Sequence, residues 1–181
     1  KPQTSIDAMY EYAKKGGRIY ADHWQRTWFT SSSDPALKGI ATWTAEVDPP
    51  SPLNVTVNTA GARGMVFRDW LADAGALSGE NTISVPELQH TVRAVDAGAE
   101  SRLLFSNPGA AVGAQDGVAY FTANAPIGAT PACGRIAYGT VHMASGDDIE
   151  QPFPSGCSTA PSPPHIKALE YALFDVEACS P

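Results

Sequence analysis

The segment from residue 5 to residue 22 constrains the fold more than any other part of this sequence. Residues 5–15 have the apolar spacing i, i+3, i+4, i+7 that is typical of an amphipathic helix, carried by Ile6, Met9, Tyr10 and Ala13. Gly16 and Gly17 are expected to end this helix, and the β-rich run RIYAD at residues 18–22 follows as a predicted buried strand. A helix, a tight turn and a buried strand form the second half of a βαβ unit, which favours parallel strands.

The rest of the chain continues this alternation of helices and strands. Two more helices are predicted, at residues 62–74 and 163–177, the former with Met65, Val66, Trp70 and Ala74 on its apolar side. Strands are predicted at residues 53–58, as an edge strand, and at residues 91–95, 102–106, 118–123 and 135–142. The predicted fold class is therefore α/β, with a mixed, largely parallel sheet flanked by helices.

The predicted domain spans residues 1–181 as a single α/β unit. The first strand of the βαβ unit is not in the sequence, and the chain begins at Lys1 rather than at a Met. We therefore expect a processed product or a fragment, in which this unit is the C-terminal part of a larger domain. An N-terminal piece or a second chain would then complete the sheet.

Composition excludes some partners and favours an exported protein. The 12 Lys and Arg residues against 19 Asp and Glu give a net charge of −7 without a basic run, which argues against nucleic acid as a partner. No stretch approaches the roughly 18 apolar residues of a membrane span. Only 17% of residues are charged, while 15 Pro and 16 Gly are present, and this composition predicts a secreted or cell-surface location.

Three cysteines leave two interpretations open. Cys133, Cys157 and Cys179 form neither a CxxC pair nor a zinc-binding spacing. They are either three buried thiols or one disulfide and an odd cysteine, and the second agrees with an oxidising compartment. If helix 163–177 runs back along strand 135–142, Cys179 returns beside Cys133, which predicts a Cys133–Cys179 disulfide. Cys157 would then pair with the N-terminal piece.

Two predicted strands end in histidine. His23 follows Asp22 at the end of the first strand, and His142 ends the strand at residues 135–142. Ligands of open α/β sheets bind beyond the carboxyl ends of the strands, so neighbouring strands would bring both imidazoles into one crevice. His23, His142 and Asp22 are thus candidates for a general base with an orienting carboxylate, or for ligands of a divalent metal. Alternatively, each histidine only caps its strand.

Further binding candidates lie close to these histidines in the sequence. Trp24 and Trp28 follow His23 and are candidates for stacking on a sugar, although core packing is the commoner role of tryptophan. Asp147 and Asp148 follow His142 and are candidate binding residues, or else an exposed acidic turn. His90 and His165 are expected at the surface.

The stretches AMYEYAKKGGRIYADHWQRTWF, CGRIAYGTVHMASGDD, FPSGC and KALEYALFDVEAC resemble an exported bacterial family of the myxobacterial type, often lipoproteins, whose function is not established. More distantly, YAKKGGRIYADH and GRIAYGTVH are similar to the ThuA-like, glutamine-amidotransferase-like flavodoxin-type fold. That resemblance implies a late histidine at His142. The exported family usually has an earlier strand that ends in Cys–Glu–Gly, and this stretch is absent here. Met143 and Ala144 stand where the amidotransferases have a glutamate beside the late histidine, so no nucleophile can be assigned.

These observations favour a non-catalytic domain. We expect a secreted or surface-attached protein that binds a carbohydrate or another cell-surface component at the carboxyl ends of its strands. The alternative is a hydrolase, metal-dependent or not, that uses His23, His142 and a neighbouring Asp. Whether the protein is an enzyme thus stays open, and no cofactor other than a divalent metal is implied.

Overall fold

A computed structural model of the protein describes residues 1–45, 48–106, 116–141 and 162–177. The helices are α1 (Gln3–Lys14), α2 (Arg26–Thr30), α3 (Pro35–Lys38), α4 (Ala62–Asp73) and α5 (Pro164–Glu177). The strands are β1 (Arg18–Asp22), β2 (Ala41–Trp43), β3 (Leu53–Val57), β4 (Thr82–Val85), β5 (Val92–Val95), β6 (Ala99–Phe105), β7 (Gly117–Ala125) and β8 (Gly134–Gly139). None of the helices in these ranges has the length and apolar character that crossing a membrane requires.

The predicted helix–glycine–strand unit at the start of the chain is confirmed. α1 buries Ile6, Tyr10 and Ala13, three of the four residues of the predicted stripe. Gly16 has a φ of +96°, a left-handed conformation that favours glycine, and its N–H bonds to the carbonyl of Ala13. The chain therefore reverses within two residues and enters β1.

A six-stranded mixed sheet forms the centre of the fold, in the order β1-β8-β7-β6-β3-β4. Among the described strands of this sheet only β1 and β8 pair in parallel, and the other four neighbouring pairs are antiparallel. A second, two-stranded antiparallel sheet joins β2 and β5. The α/β class is thus confirmed, but the prediction of a largely parallel sheet was wrong, because β6, β7 and β8 follow one another as antiparallel neighbours without crossover helices.

Both faces of the large sheet are covered. One apolar cluster joins the sheet to α4 and α5 through Phe67, Leu71, Ala168, Ala172 and Val176. The other cluster joins the opposite face to α1, α2, α3 and the small sheet through Tyr10, Phe29, Leu37, Ala41 and Val92. Alternate residues of β8 face the two clusters, as the pleat of a strand requires: Ala137 belongs to the first, and Ile136 and Tyr138 to the second.

Two sequence-based placements were wrong in detail. β3 is not an edge strand, because it lies between β6 and β4. α4 buries Gly64, Phe67 and Leu71, whereas Met65 and Val66 of the predicted apolar side are exposed. The reason is the close approach of Gly64 to the preceding loop, where an added Cβ would come within 2.0 Å of the carbonyl oxygen of Asn58.

The direction of α5 agrees with the prediction. Asp175, near the C-terminal end of α5, bonds to Arg135 at the beginning of β8, so the helix runs back along this strand. Cys133 is exposed, and no other cysteine lies among the described residues. Cys157 and Cys179 lie outside the described residues, so the Cys133–Cys179 disulfide and a separate partner for Cys157 stay predictions.

Candidate functional site

The carboxyl ends of β1 and β8 lie side by side. In this parallel pair Asp22 is opposite Gly139, so His23 and the residues that follow Gly139 leave the sheet at the same edge. The condition for a shared crevice, that the strands preceding the two histidines are neighbours, is therefore met by the pairing of β1 with β8. His142 itself lies outside the described part of the chain, and the predicted meeting of the two imidazoles stays a prediction.

A short 3-10 turn, His23–Gln25, holds His23 and Trp24 at this edge. The carboxylate of Asp22 accepts a hydrogen bond from the backbone N–H of Trp24 at 2.8 Å, and the side-chain carbonyl of Gln25 accepts one from the N–H of Asp22 at 2.8 Å. This reciprocal pair is a capping box, which fixes the direction in which the chain leaves β1. Asp22 thus has a structural role as a cap.

Trp24 is presented to solvent by this turn. Its side chain is 74% exposed, although its backbone is held by the Asp22 cap. The indole and the imidazole of His23 lie against each other, with ring centroids 5.3 Å apart. The indole therefore presents a large aromatic surface at this edge of the sheet, on a backbone that the cap fixes.

An open cleft of about 460 Å³ begins at this turn. One side of the cleft is formed by His23, Trp24, Arg26 and Thr27, and the other by residues of two loops: Ala45, Asp48, Gln89, His90 and Thr91. The cleft therefore combines an exposed indole with carboxylate, amide, hydroxyl and guanidinium groups. This volume falls in the range of clefts that hold small organic ligands, roughly 300–1,000 Å³.

The segment Leu88–Thr91 is fixed against the end of β8. The N–H of Gln89 bonds to the carbonyl of Thr140 at 3.0 Å, and Leu88 forms an isolated antiparallel bridge with Val141. The carboxylate of Asp48 accepts a bond from the backbone N–H of His90 at 2.7 Å. The far wall of the cleft is thus attached to the same strand end as the turn that carries Trp24.

The hydroxyl groups of Thr91 and Tyr138 lie 3.1 Å apart beneath the cleft. Burial raises the pKa of Tyr138 to about 12, and the hydrogen bond with Thr91 opposes this shift. Tyr138 is fully buried and does not line the cleft, so its connection to the site is its hydrogen bond with the hydroxyl of Thr91.

The other histidines and Trp28 do not share the position of His23. His90 is 1% exposed, with its ring centroid 5.0 Å from that of Phe105, so the prediction of a surface residue was wrong. His165 is partly buried between α5 and the sheet, and burial lowers its pKa. Trp28 is partly buried against the core on the α1–α3 side, with the amine of Lys1 4.8 Å from its ring centroid, and it does not line the cleft.

No metal centre forms among the residues that the structure describes, since they contain no group of three or more His, Cys, Asp or Glu side chains able to hold an ion. His142, Asp147 and Asp148 lie outside these residues. Their roles as metal ligands or binding residues stay predictions.

Sequence analysis did not identify Arg26, Asp48, Gln89, His90 and Thr91 as parts of this site. They come from three segments that are distant in sequence and meet only after β5 and β8 have folded. The one local signal was the position of Asp48 before two prolines. This signal indicates an irregular loop, but it does not indicate which residues the loop contacts.

Comparison with known proteins identified no relative of this chain. No protein-family model, curated protein or solved structure matches the chain.

Proposed function

We propose that this protein is a non-catalytic binding domain that recognises a carbohydrate in the cleft between the His23–Gln25 turn and the Leu88–Thr91 segment. The observation that carries the proposal is Trp24, a residue that is 74% exposed on a backbone fixed by the Asp22 cap. An aromatic ring that protrudes beside a cleft with polar groups offers a ligand a stacking surface, and Trp24 lines such a cleft.

The chemistry around Trp24 suits a sugar. A pyranose ring has an apolar face that stacks on an indole, and its edge carries hydroxyl groups that both donate and accept hydrogen bonds. The cleft offers hydrogen-bond acceptors in the carboxylate of Asp48. The amide of Gln89 and the hydroxyl of Thr91 can both donate and accept hydrogen bonds. A lining that combines polar groups with one aromatic plane thus supports a carbohydrate rather than a purely apolar ligand.

Binding without catalysis is favoured by the position of Asp22. A hydrolase would need a carboxylate or an imidazole directed at the substrate, but the carboxylate of Asp22 accepts the backbone N–H of Trp24. The hydrolase alternative then depends on His23, which lines the cleft, on a neighbouring carboxylate other than Asp22, and on His142, which lies outside the described residues. Export to the cell surface, expected from the composition, agrees with a carbohydrate ligand and belongs to this proposal.

The flavodoxin-type likeness is supported only by the α1–β1 unit and the parallel β1–β8 pair.

An array of cell-wall and surface oligosaccharides, followed by titration calorimetry with the ligands it selects, tests the proposal. We expect Trp24→Ala to weaken binding at least tenfold, roughly the loss of 1.4 kcal/mol. Phe174→Ala is the matched control, because Phe174 is also an exposed aromatic residue but lies on α5, away from the cleft. Absence of any sugar ligand, or equal affinity in Trp24→Ala, would refute the proposal, and release of shorter sugars on incubation would replace it with the hydrolase.

A further inference from the structure

Arg26 connects the two walls of the cleft that Trp24 borders. It is the first residue of α2 and directly follows the His23–Gln25 turn. Its Nη1 donates a hydrogen bond to the carbonyl of Thr44, and the N–H of Thr44 bonds to the carbonyl of Thr91 on the opposite wall at 2.9 Å. The position of the guanidinium is therefore fixed by contacts on both sides of the cleft.

One edge of this guanidinium is accessible to a ligand. Within the described part of the chain, Nη1 is the only guanidinium nitrogen of Arg26 that forms a hydrogen bond, and Arg26 forms no ion pair. Neither Nε nor Nη2 is among the buried nitrogens without a partner, in contrast to the Nε of Arg68, Arg102 and Arg135. Because Nε and Nη2 are thus in contact with solvent, their parallel N–H groups can donate to the two oxygens of a carboxylate.

The charges of Arg26 and Asp48 take separate positions in the cleft. Both residues line it, but they form no ion pair with each other, and Asp48 accepts the backbone N–H of His90 at 2.7 Å. The charge of Arg26 also acts beneath the cleft. Burial raises the pKa of Tyr138 to about 12 there, and the hydrogen bond with Thr91 and the charge of Arg26 oppose this rise. A ligand can therefore donate a hydroxyl to Asp48 and present an anionic group to Arg26.

We propose that the ligand of this cleft is an acidic sugar, whose carboxylate binds Arg26 while a face of its ring stacks on Trp24. This inference rests on the proposed function and names the class of carbohydrate. A neutral sugar offers the guanidinium only hydroxyl oxygens, whereas a carboxylate forms charge-assisted hydrogen bonds that are about twice as strong. The net charge of the protein is −7, so a general attraction of anions is not expected, and the preference must come from this contact.

Oligosaccharides of galacturonate and of glucuronate, each paired with its own methyl ester, test the inference by titration calorimetry. The ester keeps the ring and its hydroxyl groups but removes the negative charge. We expect the wild type to bind the acid form of at least one pair about tenfold more tightly than the ester, a difference of about 1.4 kcal/mol. This preference should decrease as sodium chloride is added, because salt screens accessible charges.

Substitutions of Arg26 test whether this residue is the source of the preference. Arg26→Gln should reduce the preference for the acid form about fivefold or more, since the charged donor is lost. Arg26→Lys keeps the positive charge without the planar fork and should retain only part of the preference. Arg68→Gln is the matched control, because Arg68 pairs with Asp69 on α4 and does not line the cleft. Urea denaturation checks that each variant is folded, because Arg26 also bonds to Thr44.

The outcomes separate this inference from the proposed function. The acidic sugar would be overturned if the wild type bound acid and ester forms equally, bound neutral sugars alone, or kept its preference in Arg26→Gln. The carbohydrate site itself would still stand if neutral sugars bound to the wild type and lost affinity in Trp24→Ala. Absence of binding to every acidic and neutral sugar would overturn both proposals.

Discussion

Arg135 at the beginning of β8 and Asp175 near the end of α5 form an ion pair with an N–O distance of 2.6 Å, and their side chains are 4% and 5% exposed. The other carboxylate oxygen of Asp175 accepts a bond from Arg63 of α4 at 3.0 Å. One buried carboxylate therefore connects the central sheet to both helices on one of its faces. Because a charge at such depth is stable only when it is paired, these three residues depend on one another.

Asp175→Ala should be among the most damaging single substitutions in the protein. It would leave the buried guanidinium of Arg135 without its charged acceptor, and the loss of one partner of a buried ion pair costs about 3–5 kcal/mol. We expect this decrease in the free energy of unfolding, measured by urea denaturation. Asp69→Ala is the control, because its pair with Arg68 is exposed and should contribute less than about 1 kcal/mol. Equal losses in the two variants would contradict the assigned role of Asp175.

Gly134→Ala should also destabilise the fold, for a steric reason. A Cβ at this position would lie 1.8 Å from the carbonyl oxygen of Ala13, so β8 and the end of α1 could no longer pack at their present distance. We expect a loss of about 1–3 kcal/mol or more, again from urea denaturation. Gly61→Ala is the comparison, since nothing lies within 4 Å of the added Cβ there. A harmless Gly134→Ala would mean that α1 is packed more loosely than described.

The sequence predicted well those elements that are determined by residues close together in the chain. The helix α1, its Gly16 turn and β1 follow from apolar spacing and from glycine chemistry within about twenty residues. Strand direction was not predictable in this way. The helix that precedes β1 suggested parallel pairing, and the prediction extended this pairing to most of the sheet. The antiparallel order of β6, β7 and β8 depends on which strands meet, and β2 and β4 are too short to give a periodic signal.

The candidate site was predictable only in part, for a related reason. His23 and Trp24 could be placed at the carboxyl end of a strand from the sequence alone, and they do line the main cleft. The choice between Trp24 and Trp28 could not be made, because one turn of a short helix decides which indole is exposed. The contribution of Asp48 and His90 depends on contacts between loops that no sequence spacing reveals.

The contrast between two tryptophans predicts different effects on stability. Trp43 packs between the rings of Phe29 and Tyr138, at 5.3 and 5.1 Å, and its indole N–H bonds to the carbonyl of Lys38. Trp43→Ala should therefore lower the free energy of unfolding by about 3 kcal/mol or more. Trp24→Ala should change it by less than about 0.5 kcal/mol, as at other exposed positions. A large loss of stability in Trp24→Ala would show that this indole supports the fold and would weaken its role in ligand binding.

Tyr120 predicts how stability depends on alkaline pH. Burial raises the pKa of Tyr120 well above its ordinary value, and its hydroxyl has no hydrogen-bond partner among the described residues. Above about pH 10 the unfolded chain loses this proton while the folded protein keeps it, so stability should fall by up to about 1.4 kcal/mol per pH unit from this group. Tyr120→Phe should remove that part of the slope.

At neutral pH the same variant should be as stable as the wild type or more stable, because it removes a buried hydroxyl without an acceptor. Urea midpoints measured near pH 8 and near pH 11 separate the two effects. Tyr12→Phe is the control. Tyr12 is exposed on α1, so its hydroxyl contacts water in the folded protein as it does in the unfolded chain, and its removal should change stability little. If Tyr120→Phe lost stability at neutral pH, its hydroxyl would have to donate to an acceptor beyond the described residues, whereas an unchanged alkaline slope in this variant would contradict the raised pKa of Tyr120.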